Sequence, residues 1–109
     1  MGLWDIAMAG RKGWAVGDLG TLLYTEDGGE NWEAQESGTE EDLMRVSFVN
    51  EKMGWATGRS GRIIHTEDGG KKWVTQYNIK ALPTKIFFIN EKEGWVTGST
   101  PIGVVYNTK

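Results

Sequence analysis

Two aspartates stand in nearly the same nine-residue phrase, Tyr24-Thr25-Glu26-Asp27-Gly28-Gly29-Glu30-Asn31-Trp32 and His65-Thr66-Glu67-Asp68-Gly69-Gly70-Lys71-Lys72-Trp73. A short carboxylate before two glycines either serves a site or accepts hydrogen bonds from the amides of its own turn. The second use fits the neighbours: the glycines allow the positive φ that a tight hairpin needs. Other chemistry has little material. The chain has one histidine, His65, and no cysteine, so multi-histidine and thiolate metal sites are excluded. A lone His65 in a strand gives poor support for a nucleophilic triad and is read as structural. No phosphate loop or dinucleotide fingerprint occurs. We assign no catalytic residue, no metal ligand and no cofactor. The remaining constellation is cationic: Arg45, Arg59, Arg62 and Lys85.

The elements that carry these residues recur. Gly13-Trp14-Ala15-Val16-Gly17 returns as Gly54-Trp55-Ala56-Thr57-Gly58 and as Gly94-Trp95-Val96-Thr97-Gly98, at offsets of 41 and 40 residues. Val46-Ser47-Phe48-Val49-Asn50-Glu51-Lys52 matches Ile86-Phe87-Phe88-Ile89-Asn90-Glu91-Lys92. Short β-branched and aromatic runs between glycine turns, repeated at about 40 residues, predict four-stranded propeller blades rather than helical repeats. The second repeat reads as strands over Leu43–Asn50, Gly54–Gly58, Arg62–Glu67 and Trp73–Tyr77. The first reads as Leu3–Ala9, Gly13–Gly17, Thr21–Glu26 and Trp32–Glu36, with Asp5 aligned to Val46 and Ile86. The third reads as Pro83–Asn90, Gly94–Gly98 and Gly103–Thr108, with a longer second turn at Ser99-Thr100-Pro101-Ile102 and no outer strand. The expected organisation is one partial all-β propeller: blade one over 1–40, blade two over 41–80, and a three-stranded third blade over 81–109.

The pattern Thr-x-Asp-x-Gly-x-x-Trp, met by Thr25, Asp27, Gly29, Trp32 and by Thr66, Asp68, Gly70, Trp73, resembles the Asp-box (BNR-type) repeats of sialidase-type propellers and sortilin-type receptors. The longer phrase running from Gly-Trp-Ala to the final tryptophan is most similar to photosystem II assembly-factor-like propellers. The resemblance covers nearly the whole chain. It implies that the Asp-box turns lie away from the usual active site, and that protein chains dock on another face. Sialidase activity is not expected, since only four arginines occur and none sits in a sialidase motif outside the Asp-box. Trp14, Trp55 and Trp95 are expected between blades, and Trp4 in the core of an atypical first strand. Loss of one buried ring costs roughly 3–5 kcal/mol, a large part of the roughly 5–15 kcal/mol that holds a domain.

Charge and topology bound the partners. A formal net charge of -3 gives no support for nucleic-acid binding. No stretch approaches the roughly 20 apolar residues of a membrane helix, and no signal peptide is recognised, so no compartment is assigned. The acidic run Glu40-Glu41-Asp42 lacks the ligand spacing of a calcium loop and reads as a solvated inter-blade loop. In a propeller, the outer-to-inner loops and the second turns share one face, so Arg45, Arg59, Arg62 and Lys85 are expected to crowd there. Such a patch suits an acidic protein or peptide. Blades without neighbours leave apolar faces uncovered, and natural rings hold roughly 4–8 blades. The expectation is therefore a two-copy ring of about six blades, serving as a non-enzymatic protein-binding scaffold. The alternatives are a carbohydrate-binding or sialidase-like relic, and a fragment or engineered subset of a longer propeller with no ligand of its own.

Overall fold

A computed structural model describes residues 2–78, 82–90 and 93–98. Strands β1 (Leu3–Ala9), β2 (Lys12–Gly17), β3 (Leu22–Thr25) and β4 (Glu33–Ala34) form one antiparallel sheet in chain order. Strands β5 (Leu43–Phe48), β6 (Gly54–Gly58), β7 (Arg62–Thr66) and β8 (Val74–Asn78) form a second, and β9 (Pro83–Phe88) pairs with β10 (Gly94–Gly98) in a third. The first strands of successive sheets lie beside one another. This is the propeller-blade architecture that the repeat predicts. The expected strand over 103–108 and the turn over 99–102 lie outside the described residues.

The outer strand of the first blade is shorter than expected. Only Glu33–Ala34 satisfy the ladder, and the pairing ends with a bond from the Gln35 amide to the Leu22 carbonyl at 2.8 Å. Exposed residues, which no sheet covers among the described residues, do little to extend such an edge strand. Each first strand also carries an irregularity at one place. Leu3 and Asp5 face Gly17 and Val16, Leu43 and Arg45 face Gly58 and Thr57, and β9 shifts likewise opposite Gly98. One residue is thus skipped in each blade: Trp4, Met44 and Thr84. A bulge of this kind adds local twist, which a blade requires.

The ladder corrects the alignment of the first repeat. Ala15 pairs with Ile6, whereas Ala56 pairs with Val46 and Val96 with Ile86. The first hairpin turn is one residue shorter than the later two. Ile6, not Asp5, is therefore the counterpart of Val46 and Ile86; Asp5 corresponds to Arg45 and Lys85, and Met8 to Phe48 and Phe88.

Packing follows from this register. Trp14 is fully buried and stacks on Phe48 of the next sheet, with centroids 3.5 Å apart and planes 5° from parallel. Trp55 repeats the contact on Phe88 at 3.6 Å and 4°. Each phenylalanine ring lies over a glycine of its own sheet: a Cβ added at Gly54 would clash with the Phe48 ring, and one at Gly94 with the Phe88 ring. Met8 covers Gly13 in the same way. Around these stacks sit two buried clusters, Trp14, Val16, Leu22, Leu43, Val46, Ala56, Ile64 and Trp73 at the first joint, and Trp55, Ile63, Ile86, Phe88 and Val96 at the second. Gly54→Ala should lower stability by roughly 1–3 kcal/mol, the usual cost of overpacking, read as a reduced urea midpoint at unchanged slope.

Candidate functional site

At one end of the blades, the two Asp-box turns share one hydrogen-bond plan. The Thr25 hydroxyl donates to Asp27 Oδ1 at 2.8 Å and accepts from the Gly29 amide at 3.1 Å. Asp27 Oδ1 also accepts from the Asn31 amide at 2.9 Å, and Oδ2 from Asn31 Nδ2 at 2.8 Å. The Thr66 hydroxyl donates to Asp68 Oδ1 at 2.8 Å and accepts from the Gly70 amide at 2.9 Å, while Lys72 donates its amide to Asp68 Oδ1 at 3.0 Å. Four glycines take positive φ here: Gly28 and Gly69 at 75°, Gly29 at 98° and Gly70 at 95°. The buried threonine is the node of the turn. Sequence reasoning explained the aspartate and the glycines and missed this role, although the threonine recurs in both copies.

The tryptophans that follow the turns part company. Trp32 Nε1 bonds the Gly29 carbonyl at 2.9 Å, whereas Trp73 is buried in the joint, edge-on to Phe48 at 5.9 Å. The turns are also tied to their surroundings. The Gly28 amide reaches the Arg11 carbonyl at 2.8 Å and Gly69 the Lys52 carbonyl at 3.0 Å, while Trp14 Nε1 crosses the joint to the Gly69 carbonyl at 2.9 Å. His65 is buried, holds the Gly54 carbonyl through Nδ1 at 2.8 Å and stacks on Trp55 at 4.7 Å. That is a packing geometry.

The opposite end holds the cations. Arg59 Nε pairs with Asp42 Oδ2 at 3.1 Å, and Arg62 Nε with Glu41 Oε2 at 3.0 Å. Ser60 adds its amide and hydroxyl to Glu41 Oε1 at 3.0 and 2.9 Å, and Asp42 Oδ1 accepts from the Leu19 amide at 2.9 Å. The acidic run is thus a clasp binding the loop before β5 to two second turns, and not merely a solvated loop. Burial alone raises the Glu41 carboxyl, but the Ser60 bonds and the Arg62 guanidinium outweigh it and hold it below the usual range. No sequence signal marked this clasp, because Ala81 and Leu82 occupy the corresponding places in the third repeat.

Arg45 sits one joint further on. Its Nε donates to the Thr84 carbonyl at 3.1 Å and its Nη1 to the Met44 carbonyl at 2.7 Å. Asp5, at the same ladder position of the first blade, accepts from the Val46 amide at 3.0 Å. Lys85 is exposed on β9. Arg59 and Arg62 are therefore gathered around carboxylates, and Arg45 and Lys85 lie on successive first strands.

A third feature is an apolar groove of about 540 Å³ on the sheet face of the first blade, lined by Leu3, Trp4, Ile6, Ala15, Leu23 and Trp32 among others. Trp4 is exposed here, contrary to the expected core placement, and its Nε1 donates to Asp18 Oδ1 at 2.7 Å. That bond, with the Gly2 amide on Oδ2 at 2.8 Å, lowers the Asp18 carboxyl below its ordinary value.

Hydrogen bonds from the Asn31 side chain and amide and from Thr25 pull Asp27 down from the ordinary 3.8 to about 2. Asp68 is also lowered: burial raises it, and the Thr66 hydroxyl with the Lys72 and Lys71 amides overrides that. A depressed carboxyl stabilises the fold above its unfolded value and loses that contribution as the pH falls through the folded value. Melting temperature should therefore fall between about pH 4 and pH 2, the window from the unfolded to the folded Asp27 value. Asp27→Asn should flatten that slope in circular-dichroism melts.

A family model for the photosynthesis system II assembly factor YCF48 matches residues 2–109. A solved structure of YCF48 bound to D1 peptide is similar with a TM-score of 0.82 at 30% identity, covering 98% of this chain and 37% of that one. YCF48 from Cyanidioschyzon merolae gives 0.82 at 28% identity, covering 97% of this chain and 33% of that one. This chain thus spans about a third of the length of these relatives. No curated protein matches. Three bladed sheets, two Asp-box turns and a match along nearly the whole length agree: the chain belongs to the photosynthesis system II assembly factor YCF48 family.

Proposed function

We propose that the chain is a non-enzymatic scaffold that binds an extended protein segment at the end of the blades carrying Arg45, Arg59, Arg62 and Lys85. The observation that carries this reading is the family membership together with the similar structure, whose partner is a D1 peptide. The local geometry refines the patch. Arg59 and Arg62 already serve Asp42 and Glu41, so they present charge that is largely compensated. Arg45 and Lys85 occupy one ladder position on neighbouring first strands, and both meet their second strands at a threonine, Thr57 and Thr97. They form the natural pair for an acidic side chain or a chain terminus laid across the joint. The Asp-box end serves as the structural counterpart. Its carboxylates are taken up by their own turns, which leaves little for a ligand.

In this reading, three blades over 1–40, 41–80 and 81–109 make up the scaffold. Its working form is a head-to-tail assembly of two copies, because the outer faces of the first and third blades carry exposed apolar side chains.

The double variant Arg45→Glu/Lys85→Glu should weaken binding of a labelled D1 peptide by at least about tenfold, equivalent to about 1.4 kcal/mol. The measurement is fluorescence anisotropy, with circular dichroism confirming the fold. Wild-type affinity should also fall as salt is raised, since exposed charge pairs are screened. Equal affinities for variant and wild type would remove the patch from the binding site.

A further inference from the structure

Leu19, in the second turn of the first blade, breaks two rules at once. It is 77% exposed, more than any other large apolar side chain among the described residues. It also holds φ at 55° and ψ at 38°, and is the one described residue other than glycine with a positive φ. Residues that carry a side chain rarely adopt this left-handed conformation, because Cβ crowds the following carbonyl. Glycine at this place would relieve the backbone and remove the apolar surface together.

The turn is firmly held. Asp42 Oδ1 accepts the Leu19 amide at 2.9 Å, and the buried Ser37 hydroxyl donates to the Gly20 carbonyl at 2.8 Å. The Thr21 amide returns to the Asp18 carbonyl at 3.0 Å, and the Gly2 amide and Trp4 Nε1 hold the Asp18 carboxylate. Asp42 gives its other oxygen to Arg59, so one carboxylate ties the leucine backbone to the cationic end. A missing neighbour does not account for the exposure. Gly17-Asp18-Leu19-Gly20 corresponds to Gly58-Arg59-Ser60-Gly61, and the ladders agree, with Val16 facing Leu22 and Thr57 facing Ile63. The blade of Ser60 has another blade on each side, and Ser60 is still exposed. By the same geometry, a blade placed before the first leaves Leu19 in the open.

We infer that Leu19 is an apolar anchor for the protein segment that docks at this end of the blades, a contact that depends on the binding reading proposed above. The bound segment lays an apolar side chain on Leu19 and carries its acidic group further round, at Arg45 and Lys85. Strained backbone that is over-determined by its surroundings tends to mark places where a ligand is held. The turn is ordered before the partner arrives, so binding does not have to freeze it. Ser60, the counterpart, spends its hydroxyl on Glu41. Of the two described second turns, only the first therefore offers apolar surface, which gives the bound segment a single orientation across the blades.

The same labelled D1 peptide tests the anchor with two substitutions in the full chain. Asparagine tolerates the left-handed backbone and removes the apolar surface, whereas methionine keeps that surface. Leu19→Asn should weaken binding by at least about fivefold, on the scale of one leucine side chain left in water, and Leu19→Met by less than about twofold. Melts followed by circular dichroism should show Leu19→Asn at least as stable as the wild type. Replacing the apolar residues of the peptide by serine, one at a time, should find one position where the wild type loses a similar factor and Leu19→Asn loses nothing further. Equal affinity of Leu19→Asn and wild type would overturn the anchor, and the binding reading survives that result if Arg45→Glu/Lys85→Glu still weakens the complex. Equal losses in both Leu19 variants, or additive losses throughout the peptide series, would also overturn the anchor alone. A wild type that does not bind the peptide would overturn the anchor and the binding reading together.

Discussion

Glycine, phenylalanine and tryptophan stacked in that order hold this structure together. A blade of four short strands has two apolar faces and cannot cover either by itself. The glycine at the start of each second strand removes the side chain that would keep the first strand's aromatic ring away. The ring drops onto the backbone and presents its flat outer surface to the preceding blade, where a wholly buried tryptophan meets it almost parallel. The contact is specific in depth, since a Cβ at the glycine would clash with the ring and push it toward the tryptophan. Aromatic pairs in contact add roughly 0.5–1.5 kcal/mol beyond the area they bury. The same stack sets the spacing of the blades, and through it the distance between equivalent residues on neighbouring first strands.

Polar chemistry then divides between the two ends of that stack. The Asp-box end consumes its own polar groups. Threonine, aspartate and backbone amides satisfy one another, and the tryptophan indole of the previous blade takes a turn carbonyl across the first joint. The other end is a set of loops joined by charge, with Glu41 and Asp42 gripping Arg62 and Arg59. Cross-joint bonds at one ladder position change sign between blades: Asp5 accepts an amide where Arg45 donates to a carbonyl. Identical folds therefore present different chemistry toward the centre. A repeated unit thus varies its polar contacts without altering its packing.

Most of the architecture was legible in the sequence because it repeats. The Gly-Trp phrase, the Asp-box phrase and the Asn-Glu-Lys turn each recur at a fixed offset, so the strands Leu3–Ala9, Gly54–Gly58 and Gly94–Gly98 were read with the bounds they have. Most of what failed occurs once. The first hairpin is one residue shorter, so matching by offset slid Asp5 onto the place of Ile6. Trp4 looked like a core ring because tryptophans usually are. Its position at a bulge, on a sheet face that no described blade covers, places it in the open groove instead. The Glu41–Asp42 clasp was hidden for the same reason, since ion pairs between separate loops leave no period in a sequence. The candidate cations were legible as residues, whereas the pairing of Arg59 and Arg62 with carboxylates was not.

The account turns on whether the cross-joint stack holds the blades together or merely accompanies them. A double-mutant cycle on Trp14 and Phe48, each changed to leucine singly and together and measured by urea unfolding, isolates that pair from the area each ring buries. The account predicts a coupling of about 0.5–1.5 kcal/mol. Strictly additive losses would contradict it and leave the blades joined by unspecific burial.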